Sequence, residues 1–67
     1  MIAEKRRFYP YRVIVAKNHG VKTLEMRDYR DYEYALKDYL SVELTGTTVG
    51  VALEEYGNGR LMFKGDI

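Results

Sequence analysis

Residues 31–44 read DYEYALKDYLSVEL, and this is the only stretch of the sequence with an unambiguous helical period. Bulky or apolar residues recur there at the i, i+3, i+4, i+7, i+8 spacing of a helix with one buried side: Tyr32, Ala35, Leu36, Tyr39 and Leu40. The opposite side carries Glu33, Tyr34, Lys37, Asp38 and Ser41. Asp28 and Asp31 are both suitable N-caps, and Thr45-Gly46 predicts the helix end. A single helix cannot bury such a stripe alone, so it needs a sheet.

The rest of the chain predicts that sheet, with two strands on each side of the helix. Runs of β-branched, aromatic and alternating residues occur at 11–16, 22–27, 47–56 and 60–64. Asn18-His19-Gly20 and Gly57-Asn58-Gly59 supply turn residues between them. The predicted fold class is therefore α+β, in the order ββαββ, with one helix packed on one face of a four-stranded sheet. The fallback order is βαββ, because the run TLEMRDY could also begin the helix early.

At this length, the order hairpin, helix, hairpin resembles the β-grasp arrangement of ubiquitin and of the small bacterial immunoglobulin-binding domains. The resemblance implies that the first and last strands lie parallel in the centre of the sheet and that the helix crosses one face. It is a likeness of element order, so it transfers no functional residue to this chain.

Size and composition favour one small soluble domain. A chain of 67 residues buries only about 60% of the surface that its unfolded form exposes. We therefore predict a single domain over residues 1–67, in which residues 1–7 form a flexible basic arm. Without cysteine there is no disulfide framework or thiolate metal site. The sequence has no membrane-length apolar run and no secretory signal pattern, so a cytoplasmic protein with no membrane partner is expected.

Strand alternation predicts which residues are buried and which lie on an open sheet face. The predicted core contains Val13, Val15, Leu24, Met26, Leu36, Leu40, Val49, Val51, Leu53, Leu61 and Phe63, with Ala35, Tyr32 and Tyr39 at its rim. The predicted open face contains Arg12, Ile14, Ala16, Thr23, Thr48, Gly50, Ala52, Met62 and Lys64. The apolar middle of this face indicates either ordinary exposure or contact with a second subunit or a partner protein.

The sequence lacks the residues that catalysis requires. There is no cysteine, the only serine is Ser41 on the exposed helical face, and the only histidine is His19 in a turn. One histidine without an acidic cluster does not make a zinc site. Glu54 and Glu55 are adjacent on a strand and point to opposite faces, so they cannot share a proton. We therefore predict a protein that is not an enzyme and that has no cofactor and no metal.

Protein binding fits the remaining residues best. Tyrosine and arginine are enriched among the residues that contribute most of the binding energy at interfaces. The charge is also distributed unevenly along the chain. Residues 1–30 carry eight basic and three acidic residues, whereas residues 31–67 carry three basic and seven acidic residues. The predicted partner-binding residues are Arg6, Arg7, Tyr9, Tyr11, Arg12, Ile14, Arg30, Tyr34, Asp38 and Met62. We predict a non-catalytic protein-interaction module that forms a homodimer or small oligomer. In size and type it resembles the host-modulating proteins of bacteriophages and mobile elements, including inhibitors of restriction, CRISPR or transcription machinery. This resemblance implies a host protein as partner.

Two other functions stay open at this point. Residues 5–12, KRRFYPYR, combine four cations with three aromatic rings, the mixture that neutralises phosphates and stacks on bases. A small DNA- or RNA-binding regulator that uses this arm and the first strand is therefore the main alternative. The other is an oligomer that holds a small nucleotide between its subunits with the same arginines and tyrosines.

Overall fold

A computed structural model of the protein describes residues 6–67. Its elements are β1 (Tyr11–Asn18), β2 (Lys22–Tyr29), α1 (Tyr32–Ser41), β3 (Thr48–Glu55) and β4 (Gly59–Gly65). Residues 6–8, ahead of β1, are helical. The predicted order and class, with one helix on one face of a four-stranded sheet, are confirmed. None of the described helices has the length and hydropathy needed to cross a membrane.

The strands lie in the order β2-β1-β3-β4, and every neighbouring pair is antiparallel. β2 and β3 therefore run parallel to each other with β1 between them, and α1 is the crossover that joins them. The β-grasp likeness implied that the first and last strands would meet in the centre. Here the centre is β1 and β3, because the tight turn at residues 57–59 returns β4 along the outer side of β3.

The core lies between α1 and the face of the sheet that we call the near face. Its buried members are Val13, Val15, Ala35, Tyr39, Val51 and Leu53. Ala35 is fully buried, and its small side chain allows α1 to approach the central strands. Four of the predicted core valines and leucines therefore occupy the predicted place, on β1 and β3.

The helix buries only part of the predicted stripe: Ala35 and Tyr39 are buried and Leu36 packs against the core, as predicted. Leu40 is 63% exposed, and Tyr32 lies at the exposed edge with its ring 5.5 Å from that of Tyr11. Asp38, predicted to face outward, instead faces the sheet, where it accepts a 2.6 Å hydrogen bond from the Tyr29 hydroxyl and pairs with Arg27 at 3.3 Å. Two polar partners on the edge strand β2 thus hold α1 in a rotation that carries Leu40 away from the core.

α1 ends at Ser41, about one turn before the predicted end at Thr45-Gly46. The Ser41 hydroxyl donates a 2.7 Å hydrogen bond to the Asp38 carbonyl, which is the acceptor that the Val42 amide would use in a continuing helix. The Val42 amide bonds to Tyr39 instead, and Val42 has extended dihedrals. The side-chain bond therefore competes with the next helical turn.

Candidate functional site

The candidate site is the far face of the sheet, which is the face turned away from α1. Directly paired residues in a ladder lie on the same face, so the pairings define three rows across β2, β1, β3 and β4. The charged row is Asp28, Arg12, Glu54 and Arg60. The apolar row is Met26, Ile14, Ala52 and Phe63. The small row is Leu24, Ala16, Gly50 and Gly65.

Large apolar side chains stand exposed on the two edge strands of this face. Leu24 and Met26 on β2 are 50% and 52% exposed, and Phe63 on β4 is 59% exposed. On the central strands, Ile14 and Ala52 are buried. The far face therefore has apolar margins on both sides of a buried middle.

The position of Leu24 and Met26 corrects the prediction that they lie in the core. The β1–β2 loop pairs Asn18 with Lys22, and this register places Arg27 opposite Val13 and Glu25 opposite Val15 on the near face. Because strand side chains alternate, Leu24 and Met26 are then on the far face. The charged pair on the near face stays near water at the sheet edge, where Glu25 meets Lys17 at 3.0 Å.

On β4 the predicted faces are also wrong, and here the cause is a β-bulge. The register shifts by one residue between Leu53 and Glu54, so Met62 instead of Leu61 lies opposite Leu53. Met62, predicted on the open face, therefore packs against the near-face core. Leu61 and Phe63, both predicted in the core, alternate with Met62 and turn to the far face. Lys64, also predicted on the open face, reaches the near side, with its ammonium 5.3 Å from the Tyr39 ring centre.

One carboxylate organises the charged end of the far face. Asp28 accepts a bidentate pair of bonds from Arg12, at 2.7 and 3.1 Å, and a 3.0 Å bond from Arg6. The hydrogen bonds from Arg12 hold the pKa of the Asp28 carboxyl below its usual value. Arg6 is buried, with its guanidinium 5.8 Å from the Tyr56 ring centre. The predicted flexible arm covers residues 1–7; residues 1–5 lie outside the described range, and Arg6 is held in place by this contact.

The Asp28 cluster predicts an acid-dependent stability. Because the folded pKa lies below that of the unfolded chain, the stabilisation is complete above about pH 5 and is lost as the pH falls through the folded value. Asp28→Asn should lower the free energy of unfolding by roughly 1–2 kcal/mol at pH 7 and flatten its decline between pH 5 and 2, measured by urea denaturation. Asp31→Asn, at a helix cap without a side-chain hydrogen bond, is the control for losing one negative charge. Equal acid slopes for Asp28→Asn and the wild type would contradict this role.

The last three residues, which we call the strap, fold back over the small row. Gly65 turns the chain with φ of +76°, and the Asp66 amide bonds to the Val49 carbonyl at 2.8 Å. A Cβ atom on Gly50 would lie 2.7 Å from the Asp66 carbonyl carbon and closer still to its oxygen. The strap also reaches both edge strands, since Asp66 lies 3.8 Å from the Lys22 ammonium and Arg60 donates a 3.5 Å bond to the Ile67 carbonyl. One end of the far face is thus covered by the chain itself.

The structure separates the predicted partner-binding residues into several places. Arg6, Arg12 and Ile14 lie on the far face. Arg7 is exposed, and Tyr9 and Arg30 form a contact of 5.6 Å at the adjoining end of the sheet. The other four lie on the helix side of the sheet. Tyr11 and Met62 pack against the core, and Asp38 contacts Tyr29 of β2. Tyr34 is exposed on the outer surface of α1.

Sequence reasoning missed Leu24, Met26 and Phe63 as site residues. Each was assigned to the core because apolar residues that alternate with charged ones normally point inward. The three-residue β1–β2 loop was a usable signal for β2, since its length sets the register. For β4 the deciding feature is the bulge, which no residue pattern in the sequence marks.

No family model, curated protein or solved structure matches the chain significantly. Within residues 6–67, no three side chains of histidine, cysteine, aspartate or glutamate are grouped as a metal site requires. A function is therefore inferred from the geometry of the far face.

Proposed function

We propose that this protein is a non-catalytic protein-interaction module that binds its partner through the far face. The observation that carries the proposal is the exposure of Leu24, Met26 and Phe63 by half or more on one face of the sheet. Exposed apolar side chains that share one face and have a polar border are typical of protein contact sites. Here the border is the charged row, in which Asp28 and Glu54 are paired with Arg12 and Arg60.

The non-catalytic part of the proposal is supported by the few residues able to act as nucleophile or base. Ser41 is the only serine, and its hydroxyl is bonded to a backbone carbonyl at the end of α1. His19 is the only histidine, and it lies in the β1–β2 loop. For the partner we propose the class expected from the size and type of the chain, a defence or transcription protein of a bacterial host.

Nucleic-acid binding is less well supported by the geometry. Arg6 and Arg12, two of the cations assigned to phosphate contact, both bond to the Asp28 carboxylate. Each phosphate contact by either residue would have to compete with that ion pair. Arg7 is exposed, and the prediction of a DNA- or RNA-binding arm rests on it and on residues outside the described range.

The proposal predicts that one substitution on the far face abolishes partner binding. Tagged wild-type chain and Met26→Lys should be compared in capture from bacterial lysate, with bound proteins identified by mass spectrometry. We expect Met26→Lys to lose at least about 90% of the specific partner, because burying an unpaired charge in an apolar contact costs several kcal/mol.

Leu40→Lys is the matched control, since Leu40 is comparably exposed but lies on α1. It should capture the partner as the wild type does. Thermal melts establish that both variants are folded, and exposed substitutions of this kind should change stability by under about 0.5 kcal/mol. Equal capture by Met26→Lys and the wild type, or loss with Leu40→Lys alone, would refute the far face as the binding surface.

A further inference from the structure

The register of the sheet gives the charged row a symmetry of sign. Across the four strands its members alternate in sign, in the order Asp28, Arg12, Glu54 and Arg60. Read in reverse, the same row alternates with the opposite sign. The row is therefore complementary to a copy of itself turned end for end.

One kind of twofold axis produces this arrangement. If two far faces meet about an axis parallel to the strands, β2 of one copy lies opposite β4 of the other, and β1 lies opposite β3. This rotation leaves positions along the strand direction unchanged and reverses the order of the strands. Each row therefore lies opposite the same row of the second copy, read in the reverse order. Asp28 then faces Arg60 of the second copy, and Arg12 faces Glu54. An axis perpendicular to the strands through this row would place like charges opposite each other.

The apolar and flanking residues fit the same arrangement. Met26 of one copy would face Phe63 of the other, so that exposed margins meet in both halves of the contact. Ile14 and Ala52 are already buried in the single chain. The contact would therefore be made by the exposed side chains of Met26 and Phe63. In the described residues, the β1–β2 half of the far face carries three cations and one anion: Arg6, Arg12, Lys22 and Asp28. The β3–β4 half carries two anions and one cation: Glu54, Asp66 and Arg60.

The charged side chains are accessible enough to take a second partner. Asp28, Arg12, Glu54 and Arg60 keep between 23% and 38% of their side-chain surface exposed in the single chain. Stacked sheets lie about 10 Å apart, a gap that arginine and carboxylate side chains from both sides can close. Each ion pair would then be joined by the opposite pair from the second copy.

From this self-complementarity we infer that the partner of the far face is a second copy of the chain, related by a twofold axis parallel to the strands. The inference rests on the proposed protein-binding role of the far face and names the partner at that site. A host protein that binds the far face would then compete with the second copy for that surface.

A charge exchange tests the arrangement without removing the ion pair within the chain. In Glu54→Arg/Arg60→Glu the two side chains can still pair with each other, but both would face like charges in the second copy. Sedimentation equilibrium should give the wild type twice the mass of the 7.9 kDa chain. We expect the exchange to weaken the dimer by at least about a hundredfold, and added salt to weaken the wild-type dimer. Tyr34→Ser should leave the dimer intact.

Cross-linking distinguishes the two axes. Since the chain has no cysteine, Met26→Cys and Phe63→Cys each introduce a single thiol. With a short bismaleimide, we expect cross-linked dimer from a mixture of the two variants and little from either alone, because β2 and β4 lie about 14 Å apart across the sheet. Efficient cross-linking of Met26→Cys with itself would overturn the strand-parallel axis.

The result for the wild type separates this inference from the proposed function. If the wild type is a monomer at every concentration up to the millimolar range, the inference that a second copy is the partner is overturned. An exchange variant that stays fully dimeric would overturn it as well. If Met26→Lys nevertheless loses a protein captured by the wild type, the far face is still a protein-binding surface. If the wild type is a dimer that Met26→Lys does not disrupt, the contact lies elsewhere and the inference is refuted.

Discussion

Leu53→Ala is expected to remove a large part of the free energy of unfolding. Leu53 is fully buried on the central strand β3 and is the largest side chain with no exposed surface in the described residues. Truncation of a buried leucine costs about 2–5 kcal/mol, from lost apolar burial and from the cavity that remains. A domain of 67 residues has a total stability of roughly 3–10 kcal/mol. One substitution therefore removes a large part of it, and chemical denaturation monitored by circular dichroism will measure the loss.

Leu40→Ala provides the matched comparison. It removes the same atoms from a leucine that the helical period predicts to be buried and that the structure places in solvent. We expect its effect to stay within about 0.5 kcal/mol, since exposed substitutions rarely exceed this. If Leu40→Ala were as destabilising as Leu53→Ala, α1 would be rotated relative to the sheet as the sequence pattern predicted.

Gly50→Ala is expected to produce the second large effect. The added methyl group would overlap the backbone of Asp66, and backbone atoms cannot move aside as the end of a flexible side chain can. Overpacking at a closed site costs typically 1–3 kcal/mol, and we expect about 2–3 kcal/mol here. For a domain of this size that corresponds to a melting temperature lower by roughly 8–24 °C.

Two controls identify the strap as the cause. Gly46→Ala adds the same methyl group where no atom lies within 4 Å, so it should be neutral or slightly stabilising. In a chain shortened to end at Gly65, the Gly50→Ala penalty should fall below about 1 kcal/mol, because Asp66 is absent. An undiminished penalty in the shortened chain would show that the strap is not what excludes a side chain at Gly50.

Sequence reasoning was most successful where local patterns determine the structure. The helical period, the β-branched runs and the glycine turns predicted all five elements and their order, which the structure confirms. The near-face positions on β1 and β3 also followed from alternation, because Val13, Val15, Val51 and Leu53 are the larger apolar set on these two strands. The central strands of a small sheet are the part that its pattern specifies best.

The edge strands could not be predicted in the same way. On β2 the alternation placed Leu24 and Met26 in the core, but the register with β1 puts Glu25 and Arg27 on the helix side and Met26 on the other. On β4 a single bulge exchanged the faces. The length of the β1–β2 loop was a local signal for the first, whereas the bulge depends on how β4 pairs with its partner strand.

The candidate site was predicted in part for the same reason. Arg12 and Ile14 were assigned to the correct face of the sheet, since they belong to β1, but Ile14 is buried there instead of exposed. The contact between Asp28 and Arg6 joins residues 22 positions apart, so no local pattern reveals it. The strap was likewise missed, because the backbone of Asp66 approaches Gly50 through a turn that only the folded chain defines.

The antiparallel pairing of β1 with β3 also constrains how the chain can fold. Each hairpin closes a loop of only a few residues and can form within microseconds, as can the helix between them. Joining β1 to β3 instead requires residues 11–17 to meet residues 48–55, and such non-local closure is the slow entropic step. Until that meeting occurs, α1 has no central strands to pack on and the charged row does not exist. The same rate-limiting encounter therefore creates both the stability of the domain and its binding surface.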